Sequence, residues 1–447
     1  MGARARRLLA QGADGRRDPH ARAAAPARRG TSEAGSVSGP EGPGVGRPVE
    51  QEIKLPVADD FVLPPLADAE GDLVVEPSET VELDATYFDT FDFRLARSGA
   101  ALRVRDDGWT VKLAASSDGE TLVRGERRIE GDVRAKMPPP AAVDLVRALT
   151  RGNPIAPVAR LRTVRHRIPL HRRDGTPVGE LVDDRIEVRN PETDAVATTF
   201  RELELELDDS VRRREWEPIV ERLRDAGAGP PDPTPKIVRA LGPVATAPAD
   251  VVVPELPARP TAQQVVHRAI AASVARLLIN DPGVRLGEDP EAVHQARVAT
   301  RRLRSDLRTF RALVDEQWAN ELRDELRWLA DVLGVVRDAD VMLDRLHGKT
   351  AALRDLERDA AERLLDGLRD HRARALTQLL AALRSERYDA LLDRLVAAAQ
   401  RPRVLLRVDD RDDLEVLRDL VRRPWQQLVR TVEALPRDPS DTQLHEV

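Results

Sequence analysis

The chain has 447 residues, long enough for two or three domains with cores of their own. Charged residues make up 33% and aromatics 3%, so the cores must come from Leu, Val, Ala and Ile; 71 Lys and Arg against 77 Asp and Glu give a net charge of −6, which excludes a global attraction to nucleic acid and leaves any polyanion site to local clustering. The absence of cysteine excludes disulfides, thiolate metal sites and cysteine nucleophiles, and no apolar run nears the roughly 20 residues that span a bilayer, so a cytoplasmic location is expected.

Residues 1–48 are rich in Arg, Ala, Gly and Pro without apolar periodicity and read as a disordered basic leader. Leu8-Leu9-Ala10 is too short for the apolar region of a signal peptide. A domain over 49–242 opens on Glu50-Gln51-Glu52-Ile53-Lys54, where strand alternation puts Glu50, Glu52 and Lys54 on one face. The same design recurs in Leu102-Arg103-Val104-Arg105, Arg160-Leu161-Arg162 and Glu202-Leu203-Glu204-Leu205-Glu206. Turn signals at Asp107-Gly108, Asp118-Gly119 and Asp174-Gly175 separate these segments and predict an antiparallel β domain. Helices are expected near 141–149 and 211–226, followed by a Pro-rich turn at 229–235 and a Pro-rich linker at 243–260. From 261 onward apolar residues recur at three- and four-residue spacing, predicting an α-helical bundle with helices near 262–279, 291–313, 318–346, 351–382, 385–400 and 411–435.

A charged strand face that meets water explains any one of the β segments. Four in one domain suggest a barrel with the charges inside, where mixed signs suit a phosphate chain carrying a divalent cation. Arg and Lys clamp phosphate oxygens, and carboxylates hold a hard metal. In the helical part His294, Arg297, Arg301, Arg304 and Arg308 follow one another at three- and four-residue spacing and form a basic stripe on one helix face. A solvated basic face is the plain alternative. Gly348-Lys349-Thr350 ends like a phosphate-binding loop, but Leu343 stands where its first glycine is required. His166 and His171 flank Pro169 and make a poor zinc pair.

The ordered set Glu50-x-Glu52-x-Lys54, Tyr87-Phe88-Asp89-Thr90, Leu102-Arg103-Val104-Arg105, Thr110-Val111-Lys112-Leu113, Arg124-x-Glu126, Glu180-Leu181-Val182-Asp183-Asp184, Glu202 to Glu206 and Pro235-Lys236-Ile237 resembles the CYTH family of triphosphate-tunnel enzymes. The resemblance implies an α+β multidomain chain: an antiparallel eight-stranded β-barrel forming a triphosphate tunnel, followed by the α-helical bundle. It implies hydrolysis of a triphosphate with Mg²⁺ or Mn²⁺, inorganic triphosphate being preferred to thiamine triphosphate or a nucleoside triphosphate. Arg103, Arg105, Lys112, Arg124, Arg162 and Lys236 would bind phosphates. Glu50, Glu52, Asp184, Glu202, Glu204 and Glu206 would hold metal and orient water, with Glu50, Glu52 and Lys54 as catalytic residues. Which ladder glutamates ligate stays open, Glu204 being the first choice; Asp184 is preferred to Asp183.

The stripe, together with Arg327-Trp328-Leu329-Ala330 and Leu333-Gly334-Val335-Val336-Arg337-Asp338-Ala339-Asp340-Val341, resembles the CHAD domain, which implies binding of polyphosphate through His294, Arg297, Arg301, Arg304, Arg337 and His445, and association with polyphosphate granules. Asp438 to His445 resembles the start of the second half of such a domain, so 261–447 is expected to be incomplete. The expected partners are inorganic triphosphate and polyphosphate, with no specific nucleic acid and no membrane. A non-catalytic polyphosphate-binding protein is the alternative of a different class.

Overall fold

In the computed structural model the described residues are 49–66, 73–117, 122–208, 211–350, 353–405, 413–436, 438–440 and 443; at 49–51, 114–117, 122–124, 355–356, 413–414 and 423 the backbone alone is described. The described residues between 49 and 405 form one compact unit. The β part contains β1 (Val49–Val57), β2 (Leu73–Val75), β3 (Glu79–Asp89), α1 (Arg94–Arg97), β4 (Ala101–Arg105), β5 (Gly108–Ser117), β6 (Leu122–Ile129), α2 (Pro140–Thr150), β7 (Ala156–Arg172), β8 (Pro177–Arg189), β9 (Val196–Leu207), α3 (Arg213–Asp225) and α4 (Lys236–Leu241). All ladders are antiparallel, in the neighbour order β2-β7-β3-β4-β5-β6-β1-β9-β8. β7 pairs on one side with β3 and on the other with β8, which joins the two ends of an eight-strand run; β2 is a ninth strand added to Leu170–Arg172 of β7.

Alternation explains which face is which. Ile53, Leu55, Leu181, Leu203 and Leu205 turn outward onto Trp216, Ile219, Val220 and Leu223 of α3. Leu102, Val104, Trp109, Val111 and Leu113 turn onto Ala142, Leu145 and Val146 of α2. Burying those apolar rows leaves the intervening charged residues on the opposite face. At the end of β3 the buried Asp89 carboxylate accepts backbone N–H groups of Thr90 (2.7 Å), Leu95 (2.9 Å) and Ala96 (2.9 Å). It thereby anchors α1, and through it the start of β4 with its two arginines.

The helical part comprises α5 (Ala262–Leu286), α6 (Pro290–Thr309), α7 (Glu316–Thr350), α8 (Asp355–Leu383) and α9 (Glu386–Gln400). Consecutive helices α5 to α8 pack pairwise, and α9 returns onto α5. α5 runs seven residues beyond the expected end, through Pro282. The Asp281–Arg285 pair one turn apart and the left-handed cap at Gly287 (φ 66) carry the helix past that break signal. α10 (Asp413–Glu433) belongs to a second unit and is an amphipathic helix. Among the described residues no helix is long and apolar enough to cross a membrane.

The β and helical parts of the first unit meet through ions. Arg147 of α2 holds Asp389 by two bonds (3.1 and 2.5 Å), Arg151 holds Asp393 (2.7 Å), and Arg285 holds Asp144 (2.8 Å). Gly152 lies so close to Asp389 that a Cβ would meet its Oδ2 at 2.7 Å.

Candidate active site

A cavity of about 150 Å³ inside the strand circuit is lined by Glu52, Lys54, Tyr87, Ala101, Arg103, Arg105, Lys112, Glu126, Arg128, Arg165, Glu204, Glu206, Lys236 and Ile237. Glu52, Lys54 and Glu204 are only 5%, 3% and 3% exposed, so the charged faces are interior and the solvated-face alternative does not hold here. The lining is polarised by origin. Arg103, Arg105, Lys112 and Arg128 come from β4, β5 and β6 together with one carboxylate, Glu126, whereas Glu52, Glu204 and Glu206 come from β1 and β9 together with one cation, Lys54. Seven cations and four carboxylates leave three positive charges in excess among the described lining residues.

Lys54 Nζ pairs with Glu204 and lies 3.3 Å from Glu52. Burial alone would lower the lysine's pKa; Glu204 and Glu52 outweigh it and hold the ammonium above its usual value. Lys236, at the first turn of α4, pairs with Asp184 and lies 3.4 Å from Glu202 and from Glu204. Arg165 holds Asp184 by two bonds (2.9 and 2.8 Å) and reaches Glu204 (3.0 Å) and Glu206 (3.7 Å). For Glu204 burial would raise the pKa, but Lys236, Lys54 and Arg165 hold its carboxyl well below the usual range. Lys112 pairs with Glu126 at 3.0 Å, and Arg105 with Asp107 at 2.8 Å.

Most of the sequence-derived residues therefore converge. Asp184 is on the inner face, paired with Lys236 and Arg165, but is fully buried and outside the cavity lining, while Asp183 turns away to Arg201 (2.8 and 2.7 Å). Arg162 needs correction. It is 48% exposed and pairs with Asp84 outside the cavity; Arg165, three residues on, supplies the interior guanidinium. Glu202 is fully buried but lies outside the cavity lining, facing Lys236 and Arg239. The side chains of Glu50 and Arg124 lie outside the described residues, although the β1–β6 register sets the two positions opposite each other. Arg128, Arg165 and Arg239 were missed. Arg128 was accessible as the next same-face position after Glu126, but Arg165 was not, because β7 carries arginines on both faces.

An oxygen-only donor set fits a hard divalent cation. Among the described residues no three His, Asp or Glu groups already form a metal-holding cluster. Glu52, Asp184 and Glu204 are instead held by Lys54, Lys236 and Arg165, so a metal would have to exchange with these ammonium and guanidinium partners.

In the helical part His294, Arg297, Arg301 and Arg337 line one surface cavity of about 470 Å³ with Val298, Asp338, Val341, Met342 and Arg345. Arg297 is tied to Asp338 at 2.8 Å. Arg304, one turn beyond Arg301, is not part of that lining. His445 lies outside the described residues.

Residues 49–224 match the CYTH domain and residues 268–447 match the CHAD domain, so the chain is one in which a CYTH domain is followed by a CHAD domain. It is 37% identical over 351 residues to Uncharacterized protein Rv2226 of Mycobacterium tuberculosis, and likewise to Uncharacterized protein MT2285 of a second strain of that organism. The matched stretch covers 74% of this chain and 66% of each relative, just under two thirds of their length. Among solved structures it is similar to PptA from Streptomyces chartreusis (28% identity, TM-score 0.34, 40% of this chain and 62% of that one). It is also similar to HpAC1 from Hippeastrum, which has a dominant triphosphatase activity (18% identity, TM-score 0.25, 44% and 98%). At those scores the likenesses carry no argument about this chain.

Proposed function

We propose that the β part hydrolyses inorganic triphosphate to diphosphate and phosphate with a divalent metal, Mg²⁺ or Mn²⁺, and that the helical part binds longer polyphosphate at the His294–Arg337 cavity. The observation that carries the first reading is the polarised cavity: arginines and lysines on β4 to β6 face carboxylates on β1 and β9 across about 150 Å³. Arg103, Arg105, Lys112, Arg128, Arg165 and Lys236 would clamp phosphate oxygens, the guanidinium groups two oxygens at a time. Glu52, Glu204 and Glu206 would hold the cation, which would neutralise phosphate charge and lower the pKa of water. Lys54, held between Glu52 and Glu204, keeps its proton and keeps those carboxylates oriented. Phosphoryl transfer asks the protein mainly for positioning and charge, which this arrangement supplies.

Apolar lining is confined to Ala101, Ile237 and the Tyr87 ring, which favours a bare phosphate chain over a nucleotide. The alternative of a binding protein without turnover is disfavoured by the buried carboxylates, because a groove that only held phosphate would gain nothing from them. Phosphate release from inorganic triphosphate with and without divalent metal tests the reading, with Glu52→Ala as control. Metal-dependent release that the substitution abolishes supports it. Metal-independent binding without release from folded protein would overturn it in favour of the binding alternative.

A further inference from the structure

Glu202 shares a strand face with Glu204 and Glu206, yet its surroundings differ from theirs. Its side chain is fully buried and is absent from the cavity lining that contains the other two. Neither carboxylate oxygen makes a hydrogen bond of normal geometry, but Oε1 lies 3.4 Å from Lys236 Nζ and Oε2 lies 3.2 Å from Arg239 Nη1. Those two cations are three residues apart on α4, hence on one face of that short helix. Arg239 is fixed in turn by Asp232 (2.6 Å) and lies over the Phe200 ring (5.7 Å). The Asp232 backbone N–H bonds the Lys54 carbonyl at 2.9 Å. Glu202 is thus the strand carboxylate that reaches both cations of α4, Lys236 being held by Asp184 and Glu204 as well.

We propose that Glu202 is a positioning residue rather than a metal ligand: it pins α4 through Arg239 and Lys236, so that the Lys236 ammonium is presented to the phosphate chain. The inference rests on the triphosphate reading of the cavity and assigns work within it. The sign of one measurement separates positioning from plain charge. Removing a buried negative charge beside the cavity should, by electrostatics alone, strengthen binding of a polyanion. Loss of positioning should weaken it.

The experiment is calorimetric titration of the whole chain with inorganic triphosphate and, separately, with Mg²⁺, for the wild type, Glu202→Gln, Glu204→Gln and Arg239→Met, alongside steady-state hydrolysis. For Glu202→Gln the expected result is a roughly tenfold weaker triphosphate affinity with Mg²⁺ affinity changed less than about threefold. Glu204→Gln should instead weaken Mg²⁺ by more than about tenfold. Arg239→Met lies outside the lining but removes a cation, so it weakens triphosphate binding on either account. What covers the case in which Glu202→Gln does not fold is a Lys236→Met background: there the effect of Glu202→Gln should vanish, because it acts through that lysine, whereas a plain charge effect would persist. Tighter triphosphate binding by Glu202→Gln, or a loss of Mg²⁺ affinity equal to that of Glu204→Gln, would overturn the proposal. Both titrations read binding, so failure of hydrolysis alone counts against the enzymatic reading and leaves the role of Glu202 to its own test.

Discussion

Two of the arginines of β7, Arg162 and Arg165, show how much one side-chain direction decides. Arg162 meets Asp84 on the outside, where an exposed pair contributes about 0–1 kcal/mol, whereas Arg165 sits among Asp184, Glu204 and Glu206. Arg165→Leu should therefore weaken triphosphate binding by about 10–100-fold, and Arg162→Leu by less than about threefold, in a direct titration. The sequence could not separate them. β7 alternates Arg160 and Arg162 on one face with Arg165 and Arg167 on the other, and only the carboxylates brought up by β8 and β9 distinguish inside from outside. By contrast Glu204 was legible, because Leu203 and Leu205 flank it and must turn to α3. Its carboxyl, held well below the ordinary 4.5, contributes stability that is present above pH 4.5 and is lost as pH falls toward its folded-state value. Acid unfolding followed by circular dichroism should accordingly show Glu204→Gln losing less stability than the wild type between pH 4.5 and lower pH.

Among the elements, β1 and β9 carry the acidic side of the cavity, and the spacing of β9 from β8 depends on one residue without a side chain. Gly179 has φ +149, and a Cβ there would lie 2.1 Å from the Glu206 carbonyl oxygen. Gly179→Ala must move backbone on one strand or the other. It should cost about 1–3 kcal/mol in denaturant unfolding. Because the displaced strand bears Glu206, Mg²⁺ affinity should fall with it. Element existence was largely legible: α2 and α3 lie within a residue or two of the expected positions, since the apolar periodicity that dictates them is the same surface they bury. Two features were not. β2 has three residues and no pattern to betray it. The extension of α5 through Pro282 depends on the Asp281–Arg285 pair, which is sealed by Tyr388 from another helix.

Taken whole, the β and helical parts of the first unit share buried ionic contacts. Arg285, almost without solvent exposure, bonds Asp281, Asp144 and the Leu383 carbonyl (3.0 Å). Arg285→Met would leave Asp281 and Asp144 without that cation, at a cost of about 3–5 kcal/mol. Because Asp144 belongs to α2, thermal unfolding should lower the β and helical signals together; two separated transitions in the wild type would contradict this. None of these contacts was legible from patterning. Arg147, Arg151 and Asp389 look like ordinary helix-surface charges until their partners, some 240 positions away in the chain, are known. The close approach of Gly152 to Asp389 bears on recombination. A chimera that joins this β part to the helical part of a relative must bring a matching pair of surfaces, with room at position 389 for the backbone at 152. The sound crossover is therefore not in the Pro-rich linker, where the composition of the sequence invites it, because a cut there separates α2 from the helix it was shaped against.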